Sequence, residues 1–317
     1  MLVVIAIGAK ALLDPERGLE AEAHRAGARA VVAAIASVAR HHDVVVTHGS
    51  APQVGLLAYQ SALSREATGY PLDILEAETQ GFLGYVLQQA LQNELRDREV
   101  AAVLTQVQVD PEDPGFGRRR KLVGPVLAPV DADWMRRERG WELEAAGKGF
   151  RRSVPSPEPL AIVELRTIQQ LVATGAVVIC AGGGGIPVGC DAGGNLCGVE
   201  AVIDKDRSAA LLASLLGADL LLYLTDVPAV ASDWGSAFAR PIGRVSVADL
   251  RGQRFDDATM GPKVESACRF VHQTGKRAAI GAVADATALC HGTAGTQIVD
   301  WEFDPGLVSG LPGVAAR

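Results

Sequence analysis

Several ordinary signals are scarce in this chain of 317 residues. No Cys-x-x-Cys pair occurs among its five cysteines, Cys180, Cys190, Cys197, Cys268 and Cys290. Their number is odd, so neither a zinc cluster nor a disulfide framework is signalled, and reduced structural thiols are expected. Cys180 lies in an apolar run and reads as a small core hydrophobe. Positive charge is in deficit. The formal net charge is -7, whereas a nucleic-acid binder needs a basic face. Long hydrophobic runs are missing too. LVVIAIG, after Met1, is far too short to span a membrane and has no basic segment before it. It reads as a first, central β-strand, and a cytoplasmic protein is expected. Gly8-Ala9-Lys10 lacks the G-x-G-x-x-G spacing, which disfavours a dinucleotide-binding oxidoreductase. No internal repeat is present, and no histidine stands out as catalytic. His48 reads as a structural residue at a strand end.

Hydrophobic residues make up 48% of the chain and charged residues 21%, enough for a sizeable core in one large α/β domain or two smaller ones. Strand-like runs alternate with helical stretches. LVVIAIG, DVVVTHG and AAVLTQVQV read as strands; residues 20–42, a stretch from about Pro52, and 72–95 read as helices. A helix is expected over LAIVELRTIQQLVATG, then a strand at VVICA. ADLLLYLTDVPAV reads as a buried strand, and the chain ends in a strand, a helix and a last strand. Such alternation predicts a mostly parallel sheet with helices on both faces. Ligands in these sheets bind beyond the carboxyl ends of the strands, where Gly8, Gly49 and Gly182 stand.

The stretch from Val177 to Lys205 carries the strongest chemical signal. Its apolar strand runs into Gly182, Gly183, Gly184 and Gly185. Glycines after a buried strand let backbone N–H groups form a nest for an anion. Pro187 prevents an immediate helix, and Asp204-Lys205-Asp206 opens the helical run RSAALLASLLGA. Lys205, at the mouth of that helix, would reach a phosphate in the nest; the alternative is a flexible turn with a surface lysine. Thr225-Asp226 ends a strand before valine and proline, which suits a pocket wall for a planar ring. Gly261-Pro262 starts a helix with Lys263 in its first turn. The helix dipole disfavours a cation there, and a bound phosphate would account for it. Between Asp110 and Ser153 prolines cluster and RRRK appears, so this stretch reads as a lid-like excursion from the sheet, or RRRK as a solvated basic turn.

THGSAPQVG, PLDILEAETQGFLGYVLQQAL, VLTQVQVDPEDPGF, RRSVPSPEP, VICAGGGGIPV, VIDKD, LTDV and MGPKVESA resemble, in order and spacing, the motifs of carbamate kinases in the amino acid kinase superfamily. The resemblance covers nearly the whole chain. It implies a single amino acid kinase domain over residues 1–317, with an open, mostly parallel eight-stranded α/β sheet and helices on both faces. A protruding subdomain at 110–153 and a homodimer are also implied. So is reversible phosphoryl transfer between ATP and carbamate, with Mg²⁺. The family's phosphate-handling lysines fall on Lys205 and Lys263, and the subdomain's lysine on Lys121. Nucleotide contacts fall on Lys205, Asp206, Thr225, Asp226, Val227, Met260 and Lys263. The small substrate falls among Gly8, Ala9, Gly49, Ser50, Gly182, Gly183 and Gly184. No resident metal ligand set is implied.

Departures from the family gather on the acceptor side. Gly8-Ala9-Lys10 stands for Gly-Gly-Asn, Gly49-Ser50-Ala51 for Gly-Asn-Gly, and Ala258-Thr259-Met260 for Gly-Ser-Met. Related amino acid kinases place a lysine where this chain has Ala6, so Lys10 is expected to face the transferred phosphate instead. It would otherwise pair with a carboxylate on a larger acceptor, or stay solvated. The functions kept open are a carbamate kinase, a kinase of a different small acid, and a weakened paralogue that senses nucleotide or carbamoyl phosphate.

Overall fold

The computed structural model describes residues 1–13, 18–64, 69–118, 120–234, 236, 238–256 and 260–300. The first half runs β1 (Leu2–Ile7), α1 (Ala21–Ala39), β2 (Asp43–His48), α2 (Ala51–Leu63), α3 (Leu72–Glu94), β3 (Val100–Ala102), β4 (Gln106–Val109), α4 (Gly115–Arg118), β5 (Arg120–Leu127), α5 (Pro129–Arg139), β6 (Leu143–Ala146), β7 (Gly149–Pro155) and β8 (Pro159–Ile162). The second half runs α6 (Leu165–Ala173), β9 (Val177–Ile179), β10 (Ile186–Cys190), β11 (Leu196–Gly198), α7 (Lys205–Leu216), β12 (Leu220–Thr225), β13 (Ala231–Ser232), β14 (Arg240–Pro241), β15 (Arg244–Ser246), α8 (Val247–Arg251), α9 (Met260–Thr274), β16 (Arg277–Ala282), α10 (Ala286–His291) and β17 (Thr296–Val299).

Eight strands form the main sheet in the order β15-β17-β16-β12-β1-β2-β9-β3. Among the described residues only β16 and β17 pair antiparallel within it. The centre reads as continuous apolar sequence because helices cover both faces. Val3, Ile5 and Ile7 of β1 pack with Val31 and Ile35 of α1 and Leu87 and Leu91 of α3. Val4 and Ala6 point the other way, toward Ala209 and Leu212 of α7 and Phe270 of α9. Burying Ile5 completely contributes about 1.5–3 kcal/mol. The chain leaves β1 for β2 on one side and returns as β12 on the other, which opens a crevice at the carboxyl ends of these strands. Among the described residues no helix is long and apolar enough to cross a membrane.

Two expected elements differ. AAVLTQVQV is not one strand: β3 ends at Ala102 on the edge of the main sheet, and β4 belongs to a separate four-stranded sheet, β11-β10-β4-β8. The break has a partner. Gln80 on α3 accepts from the Thr105 N–H at 2.9 Å and donates to the Thr105 carbonyl at 3.1 Å, drawing the chain off the sheet. Residues 160–162, expected to begin a helix, instead belong to β8, antiparallel to β4. The helix waits until Leu165, because the Glu164 carboxylate is used by the Gln106 N–H at 2.7 Å and its side-chain amide at 2.8 Å.

A three-stranded sheet, β5-β7-β6, lies within the stretch where composition shifts. It meets the main body through α2. A Cβ on Gly55 would fall 2.0 Å from the Gly124 backbone nitrogen, so two glycines let helix and strand touch backbone to backbone. The side chains of Arg118 and Arg120, and all of Arg119, lie outside the described residues.

Candidate active site

Backbone pairing brings the strand ends together. Gly8 donates its N–H to the Leu224 carbonyl at 3.1 Å, Gly49 to Ile7 at 3.0 Å, and Cys180 to Val46 at 2.9 Å. The first loop, the second loop, the glycine run and the end of β12 therefore share one crevice. Thr47 Oγ1 ties β2 to the glycine run by donating to the Ala181 carbonyl at 2.8 Å. Ala181 itself sits at φ 49°, uncommon for a residue with a Cβ.

The glycines are demanded by their neighbours. A Cβ at Gly182 would lie 2.4 Å from His48 Nε2, at Gly183 2.3 Å from Glu76 Oε2, and at Gly184 2.4 Å from the Ile203 carbonyl oxygen. The nest expected of the run is smaller than four donors. Gly184 and Gly185 spend their N–H groups on the carbonyls of Ala181 and Gly182, at 3.2 and 3.0 Å.

Three lysines converge at the start of α7. Asp204 caps this helix, its carboxylate accepting from the Asp206 and Arg207 N–H groups. Lys205 Nζ donates to Asp206 Oδ1, and Lys263 Nζ, from the first turn of α9, lies 3.3 Å from Asp206 Oδ2. Lys121 arrives from β5, with Nζ 3.3 Å from Asp204 Oδ2 and 2.9 Å from the Ile203 carbonyl. Among the described residues these three ammonium groups meet two carboxylates, and the helix N-terminus adds positive potential. Burial pushes the Lys205 ammonium down from its ordinary pKa, and Asp206 opposes the shift. Burial also disfavours the Asp204 carboxylate, but Lys121 and Lys205 outweigh it and hold its pKa well below the usual range. The Lys205 stem crosses Gly49, where a Cβ would meet its Cδ at 3.1 Å. The Tyr223 hydroxyl donates to the Asp206 carbonyl at 2.8 Å and its ring lies under Lys205 Nζ, which fixes this first turn from below.

Thr225, at the end of β12, is buried and donates to Asp226 Oδ1 at 3.0 Å; Asp226 is exposed and Val227 half-buried. Met260 opens α9 and is half-buried. Ala258 and Thr259, where the family pattern changes, lie outside the described residues. Ala9 is half-buried, and its Cβ lies 3.0 Å from where a Cβ on Gly49 would stand. Lys10 is in the short 3₁₀ turn Ala9–Leu12, and its side chain is exposed. The structure therefore gathers all the other expected phosphate and acceptor positions but leaves the Lys10 side chain in solvent.

Sequence reasoning missed the buried polar layer under these loops. Glu76 is fully buried; Ser50 Oγ donates to its Oε2 at 3.0 Å and approaches Oε1 at 3.3 Å. Burial pushes the Glu76 carboxyl up to about 8, against the pull of Lys121 and Ser50. His48 is buried and pushed down to about 4 by desolvation, against its hydrogen bond to the Gly49 carbonyl and helped by Lys205. Gln80 donates to the Gly182 carbonyl at 3.0 Å as well as holding Thr105. A signal existed. Glu76, Thr79 and Gln80 lie on the same inward stripe as Leu72, Leu75, Leu83 and Leu87 of α3, and polar residues on an apolar stripe need a reason.

The amino acid kinase family profile matches residues 1–282. The chain is 45% identical to a carbamate kinase of Rhizobium meliloti over 326 aligned positions, covering 100% of this chain and 99% of the relative. It is 44% identical to a carbamate kinase of Haemophilus influenzae, covering 94% and 96%. Among solved structures, carbamate kinase from Giardia lamblia bound to AMP-PNP superposes with a TM-score of 0.84 at 34% identity, over 94% of this chain and 98% of that one. The chain belongs to the amino acid kinase family and, within it, to the carbamate kinases.

Proposed function

We propose that this chain transfers a phosphoryl group reversibly between ATP and carbamate, forming ATP and carbamate from ADP and carbamoyl phosphate in the opposite direction. The observation that carries the assignment of roles is the sharing of Asp206 by Lys205 and Lys263 beside the strand-end loops. Phosphoryl transfer needs in-line placement and cations more than covalent help. A carbamate oxygen attacks the γ-phosphorus, the bond to the bridging oxygen breaks, and ADP leaves with the electron pair. Carbamate is already an anion, so no base is needed, and His48, pushed down to about 4, stays neutral at the wall near pH 7. In this reading Lys205 and Lys263 hold the transferring group, with Asp206 spacing them, and Lys121 adds charge from the outer sheet. Thr225, Asp226, Val227 and Met260 line the nucleotide side. Gly8, Ala9, Gly49, Ser50 and Gly182 to Gly184 surround the acceptor.

Among the described residues no cluster of three or more His, Cys, Asp or Glu side chains could hold a metal, and both Asp206 oxygens are engaged by lysines. These residues fit a magnesium ion carried in by the nucleotide phosphates, as Mg²⁺ usually is, rather than a protein cage. Such an ion would neutralise phosphate charge. A homodimer is part of the same reading.

The test is ATP formation from ADP and carbamoyl phosphate in a coupled assay. Lys205→Ala and Lys263→Ala are each expected to lower turnover on the order of a hundredfold, as loss of one transition-state donor does. Near-normal turnover in both variants rules the roles out.

A further inference from the structure

Glu76 has no part in the transfer just described, yet it is completely buried at the floor of the acceptor loops. Its Oε2 fills the space where Gly183 would carry a Cβ, at 2.3 Å from that position. One hydroxyl, Ser50 Oγ, contacts both of its oxygens. A carboxyl has room for several hydrogen bonds, and a buried one with a single donor among the described residues is costly unless something else arrives to complete it. Ser50 belongs to the second loop and Gly183 to the glycine run, so Glu76 lies buried against both loops that bound the place where the small substrate is expected, and a substrate reaches its carboxyl when Gly183 moves off Oε2. Resting on the carbamate kinase reading above, we propose that Glu76 is a specificity-determining residue for the acceptor: its carboxyl group pairs at two points with the N–C–O edge of carbamate.

The chemistry matches atom by atom. A neutral carboxyl offers one O–H donor and one carbonyl acceptor side by side. Carbamate offers one oxygen and one N–H on the same edge. The Glu76 O–H donates to that oxygen while the Glu76 carbonyl accepts the N–H and, with its other lone pair, the Ser50 hydroxyl. The second carbamate oxygen is left free to attack phosphorus. Carbamoyl phosphate keeps the same edge, because its phosphorylated oxygen is the other one, so the pairing serves both directions. An ionised carboxylate there would repel the anionic acceptor; burial, which pushes Glu76 up to about 8, keeps the acid form at neutral pH. Acetyl phosphate carries a methyl group in place of the amino group and cannot complete the pair.

The experiment measures kcat/KM for carbamoyl phosphate and for acetyl phosphate, with ADP, at pH 7. Glu76→Leu is expected to lower the ratio of the two on the order of a hundredfold, since a site built to bond an N–H rejects the analogue lacking it far more strongly than an apolar site does. Glu76→Gln keeps a donor and an acceptor on one edge and is expected to restore most of the ratio. A folded Glu76→Leu variant with the wild-type ratio overturns the proposal. Should Glu76→Leu fail to fold, Glu76→Met reads the same axis: a lowered ratio supports the pairing, and an unchanged one overturns it. Wild-type chain that forms no ATP from carbamoyl phosphate defeats the kinase reading and this inference with it, whereas an active wild type with an unaltered variant ratio defeats the inference alone.

Discussion

Lys121 Nζ lies 3.3 Å from Asp204 Oδ2, so a lysine carried on the outer three-stranded sheet reaches the N-cap of α7 in the main body. The same ammonium donates to the Ile203 carbonyl at 2.9 Å. These two contacts tie β5 to the start of the helix that carries Lys205. Proposing that residues 110–153 act as a lid makes this tie its latch. Lys121→Ala is then expected to speed hydrogen exchange across 120–155 and to lower turnover at least tenfold by removing one cation from the site. In the wild type, nucleotide plus carbamate should slow exchange in the same stretch. Exchange that responds neither to the substitution nor to ligands rules out a lid.

Glu76 gives a pH dependence of stability with a definite sign. Its carboxyl is pushed to about 8 in the folded chain from an ordinary 4.5, chiefly by burial. Between those values the folded state holds a proton that the unfolded state has lost. Its contribution is therefore fully present below pH 4.5 and is lost as pH rises toward 8, up to a ceiling of about 5 kcal/mol at 1.36 kcal/mol per unit. Glu76→Gln has no proton to lose. Urea unfolding at pH 5, 7 and 9 should show the variant gaining on the wild type as pH rises. Parallel stability curves would show that the carboxyl ionises as if it were exposed.

The contact between Gly55 and Gly124 predicts a steric failure. A methyl on Gly55 would lie 2.0 Å from the Gly124 nitrogen and 2.2 Å from its Cα, both backbone atoms. Gly124 also holds φ at 77°. Neither side can yield without moving a strand or a helix. Gly55→Ala should destabilise the chain by about 1–3 kcal/mol, the range for overpacking, and should loosen β5 before the main sheet. A calorimetric midpoint equal to that of the wild type would mean that the two backbones are not in contact in solution.

The main sheet was legible because β1, β2 and β12 are covered on both faces and read as unbroken apolar runs. The lysines were legible by position: Lys205 and Lys263 each stand in the first turn of a helix, where a cation needs an anion to justify it. Their common attachment to Asp206 was not, because α7 and α9 meet only in the fold. The division of β3 from β4 was also hidden. VLT continues the apolar run, and what ends the strand is a glutamine 25 residues earlier in the chain. The glycines were recognised for their open backbone. Why no side chain is tolerated there depended on His48 of β2, Glu76 of α3 and Ile203 in the loop before α7, which are far apart in the chain.

Lys10 leaves the question that separates this acceptor loop from the family pattern. The residue stands two positions beyond Gly8, past the carboxyl end of the central strand, and follows Ala9, which lies against Gly49. Its side chain is exposed. A lysine stem of four methylenes can swing from there over the crevice, and an incoming triphosphate supplies the charge to draw it in. The expectation is that Lys10 closes on the transferred phosphate, offsetting the approach lost where Ala9 replaces glycine. A Lys10→Asn, Ala9→Gly variant should then lose on the order of tenfold in turnover with carbamoyl phosphate, while Lys10→Asn alone keeps stability within about 0.5 kcal/mol, as expected of an exposed position. The loss should appear in kcat rather than in KM for the acceptor, since a cation that meets the group only as it transfers stabilises the transition state more than the ground state. A sharp rise in carbamate turnover would instead mean that the natural loop is tuned to a larger acid whose carboxylate Lys10 binds. Unchanged kcat and KM would return Lys10 to solvent and leave the phosphate to Lys205, Lys263 and Lys121.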